Sequence, residues 1–421
     1  MMEPKIRLKG FSGEWESTPF LETFDYFKNN SLSRDMLSQE GEVQNIHYGD
    51  VLIKYGECVD SNKDNIPFVK DSETAKVLLR TGALQNGDVV IADAAEDNSV
   101  GKCSEIVCDS TAQMVSGLHT IPVRPKSEFA SRYLGYYMNS PAYHNQLLPH
   151  IQGTKISSIS KKAVACTNIR YPANKDEQRA LATFFTSLDN QISAAEKRLA
   201  SLKQVKAASL QAMFPQEGET TPKLRFKECE GEWKKVKLGE IFELRNGYTP
   251  SKAVDAFWTN GTIPWFRMED IRDKGGLLKD AYQKITPEAV KGGGLFEANS
   301  ILLATTATIG VHAMLIADSL ANQRFTNLSI RKSLADKYLP MFVYYAFFGI
   351  DEWCLKNTNT GGLLSVDINE LCKLPFLTPS LSEQRQIASY FTTLDRQITA
   401  QSSKISKLKQ IKSACLDQMF V

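Results

Sequence analysis

The side chains that most often carry chemistry in proteins are scattered along this chain rather than grouped. His144 and His150 lie six residues apart, a poor spacing for two metal ligands on one helix face, and no cluster of cysteines or carboxylates accompanies them. The eight cysteines contain no C-x-x-C pair, so neither a structural zinc site nor a disulfide framework is expected. The sequence therefore predicts reduced, mostly structural cysteines and no metal centre.

Sequence motifs of common catalytic sites are also missing. The chain has no G-x-x-x-x-G-K-[ST] phosphate loop, no G-x-G-x-x-G fingerprint, no H-E-x-x-H zinc helix and no Asn-Pro-Pro-Tyr or Asp-Pro-Pro-Tyr of the amino-methyltransferases. The triple glycine Gly292–Gly294 indicates a turn. The neighbouring acids Glu269 and Asp270 have no lysine partner in a nuclease-like arrangement and are expected to be solvated or structural. No catalytic, cofactor-binding or metal-binding residue is predicted, and the chain is not expected to be an enzyme.

The bulk composition favours a globular protein of two or three domains. The chain has 421 residues, of which 42% are hydrophobic, and a net charge of +2 with a pI of about 8.0. This charge neither requires nor excludes a nucleic-acid partner, because a local basic patch can lie inside a balanced total. The N-terminal stretch lacks the apolar region of a signal peptide, and the apolar stretches Ile301–Ala317 and Tyr338–Ile350 are too interrupted or too short to span a bilayer. A cytoplasmic protein without membrane contact is expected.

A long internal repeat organises the chain. Residues 176–214 align without a gap on residues 382–420, and about half of the aligned positions are identical. Identity includes charged and polar positions such as Glu177 with Glu383, so it extends beyond a shared apolar pattern. The two segments are therefore predicted to form the same structure twice.

A shorter repeat opens each half of the chain. A P-K-[IL]-R motif followed by G-E-W begins at Pro4 and again at Pro222, and the stretch Pro215–Pro222 before the second copy is typical of a linker. The order motif, variable region, helix thus occurs twice. The predicted organisation is an N-terminal domain over residues 1–174, a central helix over 175–215, a C-terminal domain over 216–381 and a C-terminal helix over 382–421.

Both repeated segments show the periodicity of a coiled coil. Apolar residues recur about every 3.5 positions, and Lys206 and Lys412 interrupt the pattern at matching places. A helix of about 33 residues would be roughly 50 Å long. We expect the helices to form a free-standing rod; the alternative is two amphipathic helices, each lying on its own domain. The residues predicted to form the seam are Phe185, Leu188, Ile192, Leu199, Leu202, Phe391, Leu394, Ile398, Ile405 and Leu408.

The two variable regions share a faint pattern. Asn86–Ala92 resembles Asn299–Ala304, because each is an apolar, strand-like run that leads into a glycine turn. The run that starts at Tyr133 resembles the run that starts at Tyr338, and both are expected to be helical. The pattern predicts the same mixed α/β fold for both regions, with different loops.

Several motifs together resemble a known family. They are the two P-K-[IL]-R…G-E-W openings, the GYTPS and IPWFRMEDI stretches that begin at Gly247 and Ile263, and the two EQR…LKQ helices. Over essentially its whole length the chain resembles the specificity subunit of a type I restriction–modification system. The first half has no clean counterpart of GYTP…IPWF, and Tyr48–Asp50 and Ile66–Phe68 are its partial echoes.

The resemblance implies an α/β (α+β) fold and a role without catalysis. Two similar target recognition domains would each read one half of a bipartite target in double-stranded DNA. Two long antiparallel conserved helices would form a coiled coil that separates the domains with pseudo-two-fold symmetry. Two methylation subunits and the restriction subunits would be the partners. They would hold S-adenosylmethionine and ATP with magnesium, and this chain would hold no cofactor.

The residues expected to contact DNA follow from the chemistry of base edges and phosphates. Polar side chains on loops read bases, and basic side chains contact phosphates. Three stretches fit: a basic, serine-rich stretch in the first variable region, the stretch that follows IPWF, and the stretch beside the glycine turn of the second variable region. For each residue the alternative is an ordinary solvated side chain. The predicted contacts are Lys155, Lys161, Lys162, Arg267, Arg272, Lys274, Thr305, Thr306 and Arg324.

Two other functions stay open at this point. One is a coiled-coil scaffold protein without DNA recognition, and the other is a fused DNA methyltransferase or nuclease, against which the missing motifs count. A protein that reads two separated half-sites needs two readers and a fixed spacing between them. Half-sites on one face of B-DNA repeat about every 34 Å, and a rod of roughly 50 Å could set such a distance.

Overall fold

The chain forms two compact units. The computed structural model describes residues 3–153, 155–359, 361 and 363–421. Unit 1 comprises residues 1–196 and 403–421, and unit 2 comprises residues 197–402. Each unit is therefore built from one variable region and parts of both repeated segments.

The two repeated segments form two long helices, as predicted. The first long helix is Lys175–Met213 and the second is Leu381–Gln418. Residues 175–196 of the first belong to unit 1 together with residues 403–418 of the second, and the remaining parts of both belong to unit 2. Each unit thus pairs the beginning of one long helix with the end of the other.

A five-stranded sheet of the same topology lies in each unit, which confirms the predicted shared fold. When the strands are numbered along the chain, both sheets have the spatial order 1-5-3-4-2, with antiparallel neighbours except for a parallel last pair. In unit 1 the strands, in spatial order, are Phe24–Tyr26, Thr120–Pro125, Val89–Ala92, Cys103–Val107 and Cys58–Asp60. In unit 2 they are Phe242–Asn246, Phe325–Ile330, Ile301–Ala304, His312–Leu315 and Leu277–Leu278.

Smaller sheets complete each unit. Unit 1 has a four-stranded sheet with the spatial order Met114–Ser116, Gln44–Ile46, Phe68–Val69 and Leu37–Ser38. It also has two strand pairs, Glu16–Pro19 with Asn168–Tyr171 and Ser157–Ser158 with Ala94–Ala95. Unit 2 has a three-stranded sheet with the spatial order Gln283–Ile285, Ile263–Phe266 and Leu320–Ala321. It also has two strand pairs, Lys234–Lys237 with Pro375–Thr378 and Thr358–Asn359 with Ser365–Val366.

Short helices flank the sheets. In unit 1 the α-helices are Phe20–Thr23, Tyr48–Ile53, Ser72–Gly82, Tyr133–Met138, Pro141–Leu147 and Lys161–Ala165, with 3-10 turns at Arg34–Met36 and Leu148–His150. In unit 2 they are Leu238–Ile241, Met268–Lys274, Pro340–Lys356 and Ile368–Lys373, with 3-10 turns at Asp255–Phe257, Pro287–Ala289 and Lys332–Leu334. In the part of the chain that the structure describes, no helix combines the length and the apolar character needed to cross a bilayer.

Alternate residues of one central strand face two different hydrophobic cores. Val89 and Ile91 pack into the core that contains Phe185 of the first long helix, whereas Val90 and Ala92 pack into the core of the small sheet. This is the two-residue period of a strand that is buried on both faces. The same division occurs in unit 2 for Ile301 and Leu303 against Leu302 and Ala304.

The helices that follow the two five-stranded sheets are equivalent, but the sequence prediction aligned them with an error of about one helical turn. In each unit a backbone N–H donates to the glutamine of the EQR motif, from Ala130 at 3.0 Å and from Leu339 at 2.9 Å. Tyr133 therefore corresponds to Phe342 rather than to Tyr338. Both side chains are fully buried, so the two halves share burial here and not residue type.

The long helices run antiparallel within each unit. In unit 1 the rings of Phe185 and Phe420 stack with centroids 5.5 Å apart, and the Lys409 ammonium lies 2.7 Å from the Glu196 carboxylate. Residues with higher numbers on the first helix therefore contact residues with lower numbers on the second helix, as in an antiparallel pair. The same reversal occurs in unit 2, where Phe214 packs on Phe391 with centroids 6.1 Å apart.

The predicted seam is largely buried, but its ends do not belong to a free-standing rod. Phe185 stacks on Tyr136 of the unit 1 domain at 5.1 Å, and Phe391 packs on Tyr345 of the unit 2 domain at 4.9 Å. The first turns of each long helix therefore form part of a domain core, as the alternative prediction had it. Leu199, Ile398 and Leu408 are partly buried, and the other predicted seam residues are buried: Phe185, Leu188, Ile192, Leu202, Phe391, Leu394 and Ile405.

An arginine clamp explains why the short opening motif is repeated. Arg7 donates two hydrogen bonds to the buried Glu177 carboxylate, both at 2.8 Å, and Arg225 donates two to Glu383 at 2.9 and 2.6 Å. Each arginine also donates to the carbonyl of the glycine in G-E-W at 2.6 Å. A bidentate guanidinium–carboxylate pair demands both residue types in one geometry, so the opening motif and the EQR motif are kept together.

A lysine of one long helix is held by an aspartate of the other in each unit. In unit 1 the Lys412 ammonium lies 2.6 Å from both Asp189 and Glu57, and Tyr136 donates its hydroxyl proton to Asp189 at 2.7 Å. Burial by itself lowers the pKa of the Lys412 ammonium, but the two carboxylates raise that pKa above its ordinary value. The interruption of the apolar seam at Lys412 is therefore a part-buried ion pair rather than a defect.

Unit 2 repeats this arrangement with one carboxylate fewer. The Lys206 ammonium lies 2.6 Å from Asp395, which accepts the hydroxyl proton of Tyr345 at 2.8 Å. The ammonium also lies 5.8 Å from the centre of the Tyr345 ring and 5.3 Å from that of Phe348. We call the two arrangements the lysine locks, formed by Lys412, Asp189, Tyr136 and Glu57 in unit 1 and by Lys206, Asp395 and Tyr345 in unit 2.

We predict that replacing the lock lysine with methionine destabilises unit 1 more than unit 2. Lys412→Met leaves two part-buried carboxylates unpaired and should cost about 2–4 kcal/mol, whereas Lys206→Met leaves one and should cost about 1–2 kcal/mol, both reduced by partial solvent access. Hydrogen exchange followed by mass spectrometry resolves the units, so each variant should lose protection in its own unit. Lys409→Met, at an exposed ion pair, is the control and should cost at most about 1 kcal/mol. Equal losses for Lys412→Met and Lys409→Met would contradict the lock.

Candidate nucleic-acid interface

At one end of the unit 2 sheet, backbone hydrogen bonds tie several loops together. The Tyr248 N–H donates to the Ala321 carbonyl at 2.9 Å, and the Asn322 N–H donates to the Phe266 carbonyl at 3.1 Å. The loops that follow three strands are thereby held side by side. We call this surface the unit 2 loop edge: residues 247–251, 266–267, 305–308 and 322–324.

Unit 1 has the same backbone frame at the same end of its sheet. The Asn30 N–H donates to the Ser116 carbonyl and the Gly117 N–H donates to the Ile46 carbonyl, both at 2.8 Å. These bonds match the two bonds of unit 2 one for one. The unit 1 loop edge comprises residues 29–33, 46–47, 93–96 and 117–119.

A third shared bond joins the end of one central strand to the residue before its neighbour. The Asp93 N–H donates to the His119 carbonyl at 3.1 Å in unit 1, and the Thr305 N–H donates to the Arg324 carbonyl at 3.0 Å in unit 2. Asp93 is therefore equivalent to Thr305, and His119 to Arg324. Equivalent backbone positions carry different side chains.

The GYTPS stretch builds the unit 2 loop edge. A Cβ added at Gly247 would lie 2.2 Å from a backbone oxygen of the neighbouring loop, so only glycine allows this approach. The Trp265 indole N–H donates to the Tyr248 carbonyl at 2.9 Å, and the Thr249 hydroxyl donates to the Gln323 side chain at 2.6 Å. The first bond is internal support, whereas the second lies in solvent, where a ligand can replace it.

The frame reveals the counterpart of this stretch in the first half. GYTPS corresponds to Asn29–Ser33, and IPWFRMED corresponds to Val43–Asp50. The predicted echoes were wrong: Tyr48–Asp50 matches the end of IPWFRMED, and Ile66–Phe68 leads into a strand that pairs with Gln44–Ile46. The first half therefore has the whole motif in structure, although not in residue type.

The two halves fill this part of the frame with different chemistry. Asn30 and Asn45 occupy the places of Tyr248 and Trp265. The Asn30 amide donates to the Asn45 amide oxygen at 2.7 Å, and both side chains are buried. A hydrogen-bonded pair of amides has replaced two aromatic residues, so a comparison of the two sequences does not show that these positions are equivalent.

A buried aspartate supports each loop edge from below. Asp270 is fully buried and accepts the N–H of Arg267 at 2.9 Å and that of Tyr282 at 2.8 Å. Its equivalent Asp50 is also buried and accepts two hydrogen bonds from the Arg34 guanidinium at 2.9 and 3.0 Å. Of the two roles expected for Asp270, solvated or structural, the structure gives it the structural one.

Four of the predicted DNA-contact residues lie on the unit 2 loop edge. Arg324 is exposed, and Arg267 and Thr306 are partly exposed. The Arg267 guanidinium lies 3.1 Å from the Glu269 carboxylate. Thr305 is buried and its hydroxyl shares a hydrogen bond with that of Thr326 at 2.9 Å, so the geometry favours internal support over base contact for this residue.

Two others lie on the helix that leads away from this edge. Arg272 is exposed on the helix Met268–Lys274. Lys274, at the end of that helix, lies 3.6 Å from Asp270, donates to the Asp280 carbonyl at 2.9 Å and covers the ring of Tyr282 at 4.2 Å. These contacts hold its ammonium inside unit 2, so a structural role fits Lys274 better than a DNA contact.

The basic stretch of the first half lies beside the unit 1 loop edge. The strand Ser157–Ser158 pairs with Ala94–Ala95 of that edge, and Lys155, Lys161 and Lys162 flank this strand. All three lysines are exposed, and the Lys161 ammonium lies 5.7 Å from the centre of the Tyr26 ring. The predicted basic patch is therefore next to the loops that carry the polar side chains.

Sequence reasoning missed a cluster of rings on the unit 1 loop edge. His47 and Tyr48 lie with ring centroids 4.7 Å apart, and Tyr48 meets the edge of His119 at 5.2 Å. Burial lowers the pKa of the His47 imidazole, and the nearby Arg34 guanidinium lowers it further, so this ring is neutral near pH 7 and accepts the Gly49 N–H at 3.2 Å. No motif marks the cluster, because separate loops contribute its members.

Comparison with known proteins agrees with this doubled arrangement. A family model described as the type I restriction modification DNA specificity domain matches residues 36–204 and again residues 230–410, which together make up more than half of the chain. The chain belongs to this family. The boundaries of the two matches show that it carries two specificity domains, one in each half.

Individual relatives and a solved structure support the assignment. The chain is 51% identical over 150 residues to the type I restriction enzyme EcoprrI specificity subunit and 31% identical over 197 residues to the EcoR124I/EcoR124II specificity subunit, both of Escherichia coli. These matches cover 36% and 44% of this chain, and the chain spans only 36% and 47% of the two relatives. The S subunit of a type I restriction–modification system from M. genitalium shares the fold with a TM-score of 0.57, at 13% identity over 100% of this chain and 99% of that one.

The side chains that could bind metals do not converge in the part of the specificity domains that the structure describes. Among the residues that the structure describes, no group of three or more His, Cys, Asp or Glu side chains is placed to hold an ion. Burial raises the pKa of the Cys58, Cys103 and Cys354 thiols, so these cysteines stay protonated and act as packing residues.

We predict that Asp270→Asn destabilises the second specificity domain by about 1–3 kcal/mol. Its amide oxygen can accept one of the two backbone N–H groups, and its NH₂ then faces the other donor, which leaves a buried group unsatisfied. Urea unfolding followed by tryptophan fluorescence reports the change. The neighbouring exposed variant Glu269→Gln should stay within about 0.5 kcal/mol. If the two variants unfold at the same urea concentration, Asp270 does not support the edge.

Proposed function

We propose that this chain is the DNA-reading subunit of a type I restriction–modification complex, in which each specificity domain reads one half of a bipartite target. One observation carries the proposal: the two domains share the backbone frame of the loop edge and differ in the side chains that the frame presents. A repeated frame with different side chains suits two readers of different sequences. A purely structural repeat has no need for that difference.

The side chains on the loop edges suit base recognition. Base edges in the major groove present donors, acceptors and the thymine methyl group, which arginine, histidine, threonine and amide side chains can address. His47 and His119 on the unit 1 loop edge occupy the positions that are equivalent to those of Arg267 and Arg324 on the unit 2 loop edge. The basic patch at Lys155, Lys161 and Lys162 would contact phosphates and position the first domain on the duplex.

The lysine locks support the proposal that the long helices set the spacing of the half-sites. Each lock joins a domain to both long helices, so each domain is held at one fixed position along the helix pair. In the proposed arrangement the helices separate the domains as an antiparallel coiled coil with pseudo-two-fold symmetry. A change in helix length would then change the length of DNA between the half-sites.

Matched apolar residues support a partner that binds twice. Ile6 and Leu224 occupy equivalent places in the opening motif, Val205 and Ile411 occupy equivalent places on the long helices, and all four are exposed. Exposed apolar side chains repeated on both units fit two copies of one protein. We propose two methylation subunits as that protein, with restriction subunits added to the complex. Under this proposal S-adenosylmethionine, ATP and magnesium are held by the partners, and this chain is not catalytic.

We predict that the half-sites can be exchanged separately. The antiparallel strands Glu16–Pro19 and Asn168–Tyr171 mark the natural ends of the first domain, so residues 20–167 are replaced by those of another family member. Bound sequences are selected from random duplexes by the complex with methylation subunits, and one half of the selected sequence should change. Exchange of residues 238–374 is the matched experiment and should change the other half. If both halves change together, or if no sequence is selected as expected of a scaffold, the proposal is wrong.

We predict that a longer helix pair selects a longer spacer. Insertion of one heptad after Lys197 and one after Ser403, which are equivalent positions, keeps the seam in register and adds roughly 10 Å. The selected spacer should grow by about 3 bp at 3.4 Å per base pair, with some loss of affinity because one half-site also rotates about the duplex. A four-residue insertion at both places, which breaks the heptad, is the control for general damage. A folded heptad variant that still prefers the original spacer would show that the helices do not set the distance.

A further inference from the structure

His119 on the unit 1 loop edge and Arg324 on the unit 2 loop edge have equivalent backbone positions but side chains with different hydrogen-bonding groups. His119 and Arg324 each directly precede the fifth strand of their five-stranded sheet, Thr120–Pro125 or Phe325–Ile330. The carbonyl of each accepts the N–H of the residue that directly follows the third strand, Asp93 or Thr305. Both side chains are exposed. In a ligand that has two equivalent halves, His119 and Arg324 would therefore contact the same position of each half.

The surroundings hold the His119 ring in one orientation. Its Nδ1 lies 3.1 Å from an Asp93 carboxylate oxygen, and the ring meets Tyr48 edge-on at 5.2 Å. His119 has a φ of 52°, a left-handed backbone conformation that is uncommon outside glycine, so the loop itself also constrains the side chain. A carboxylate accepts and cannot donate, so in the neutral ring the proton sits on Nδ1 and Nε2 is an acceptor.

The same place in unit 2 has no carboxylate. Thr305 stands where unit 1 has Asp93, and its hydroxyl is buried against that of Thr326 at 2.9 Å. Among the described residues, no side chain forms an ion pair or hydrogen bond with the Arg324 guanidinium. Arginine has five N–H donors and no acceptor, so this position offers donors only.

We propose that His119 and Arg324 read the same position of the two half-sites with opposite hydrogen-bond polarity. His119, through Nε2, accepts from the exocyclic amino group of adenine or cytosine. Arg324 donates to O6 and N7 of guanine, the pairing that its fork geometry matches. Asp93 is a positioning residue, because it fixes which ring nitrogen of His119 carries the proton. The assignment rests on the proposed function, since it concerns bases in a bipartite target.

The test is selection of bound sequences from random duplexes by the full chain in complex with its methylation subunits. The selection is run at pH 8 for every variant. Wild type should select guanine at one position of one half-site and adenine or cytosine at the equivalent position of the other. Arg324→Ala should lose the guanine preference at that position by roughly 5- to 150-fold and leave every other position unchanged. Arg396→Ala, at an exposed arginine on the second long helix, should change no base preference.

Reciprocal exchange separates reading from mere support. His119→Arg combined with Asp93→Thr should shift the unit 1 position to guanine, and Arg324→His combined with Thr305→Asp should shift the unit 2 position to adenine or cytosine. Asp93→Ala alone should blur the preference at the unit 1 position without weakening the others, because the ring proton is then free to occupy either nitrogen.

The outcomes distinguish this assignment from the proposed function. If Arg324→Ala weakens binding equally for all sequences, the residue contacts a phosphate and the assignment is overturned. It is also overturned if selection is unchanged, although the proposed function then stands. A wild-type complex that selects no sequence at all overturns both.

Discussion

In each unit the lysine lock places three elements under a single constraint. A lysine from the end of one long helix is paired with an aspartate near the beginning of the other, and a tyrosine of the domain donates to that same aspartate. A part-buried ammonium without its carboxylate is costly, so helix pairing and domain seating have to form together. This explains why a charged residue interrupts an otherwise apolar seam. At Lys412 the pairing is strong enough to raise the pKa of the ammonium against the effect of burial.

The halves diverged around these locks by compensating changes. Glu57 reaches Lys412 in unit 1, where a Cβ added to the nearby Gly135 would lie 2.1 Å from the Glu57 carbonyl. In unit 2 the place of Glu57 is taken by Gly276, and a Cβ there would lie 2.0 Å from the Tyr344 hydroxyl. A large residue with a small neighbour has been replaced by a small residue with a large neighbour. Close packing requires such pairs to change together, so the fold persisted while the residues did not.

The division between a shared frame and different side chains fits a protein that reads sequence. The frame consists of backbone hydrogen bonds and buried supports such as Asp50 and Asp270, which are insensitive to what the exposed side chains do. Base recognition depends on the exposed side chains, which tolerate exchange because they carry little of the packing. A domain built this way can take a new specificity without losing its seat on the helices.

The sequence by itself determined the repeat, the two long helices and the strands that form the centre of each domain. These features depend on local periodicity, which needs no knowledge of distant residues. Of the predicted contacts, Lys155, Lys161, Lys162 and Arg324 lie exposed beside or on a loop edge, as residue type and loop context suggested. Residue type alone did not separate them from Lys274 and Thr305, whose partners are supplied by other segments.

The tertiary structure alone decided which segments of the two halves are equivalent and which side chains meet. Asn30 with Asn45 replaces Tyr248 with Trp265, and no comparison of letters relates an amide pair to a pair of rings. His119 meets its partners only because strand pairing brings residues 48, 93 and 119 to one end of a sheet. Such contacts are set by strand order and register across the whole domain, whereas the sequence pattern reports only on neighbours along the chain.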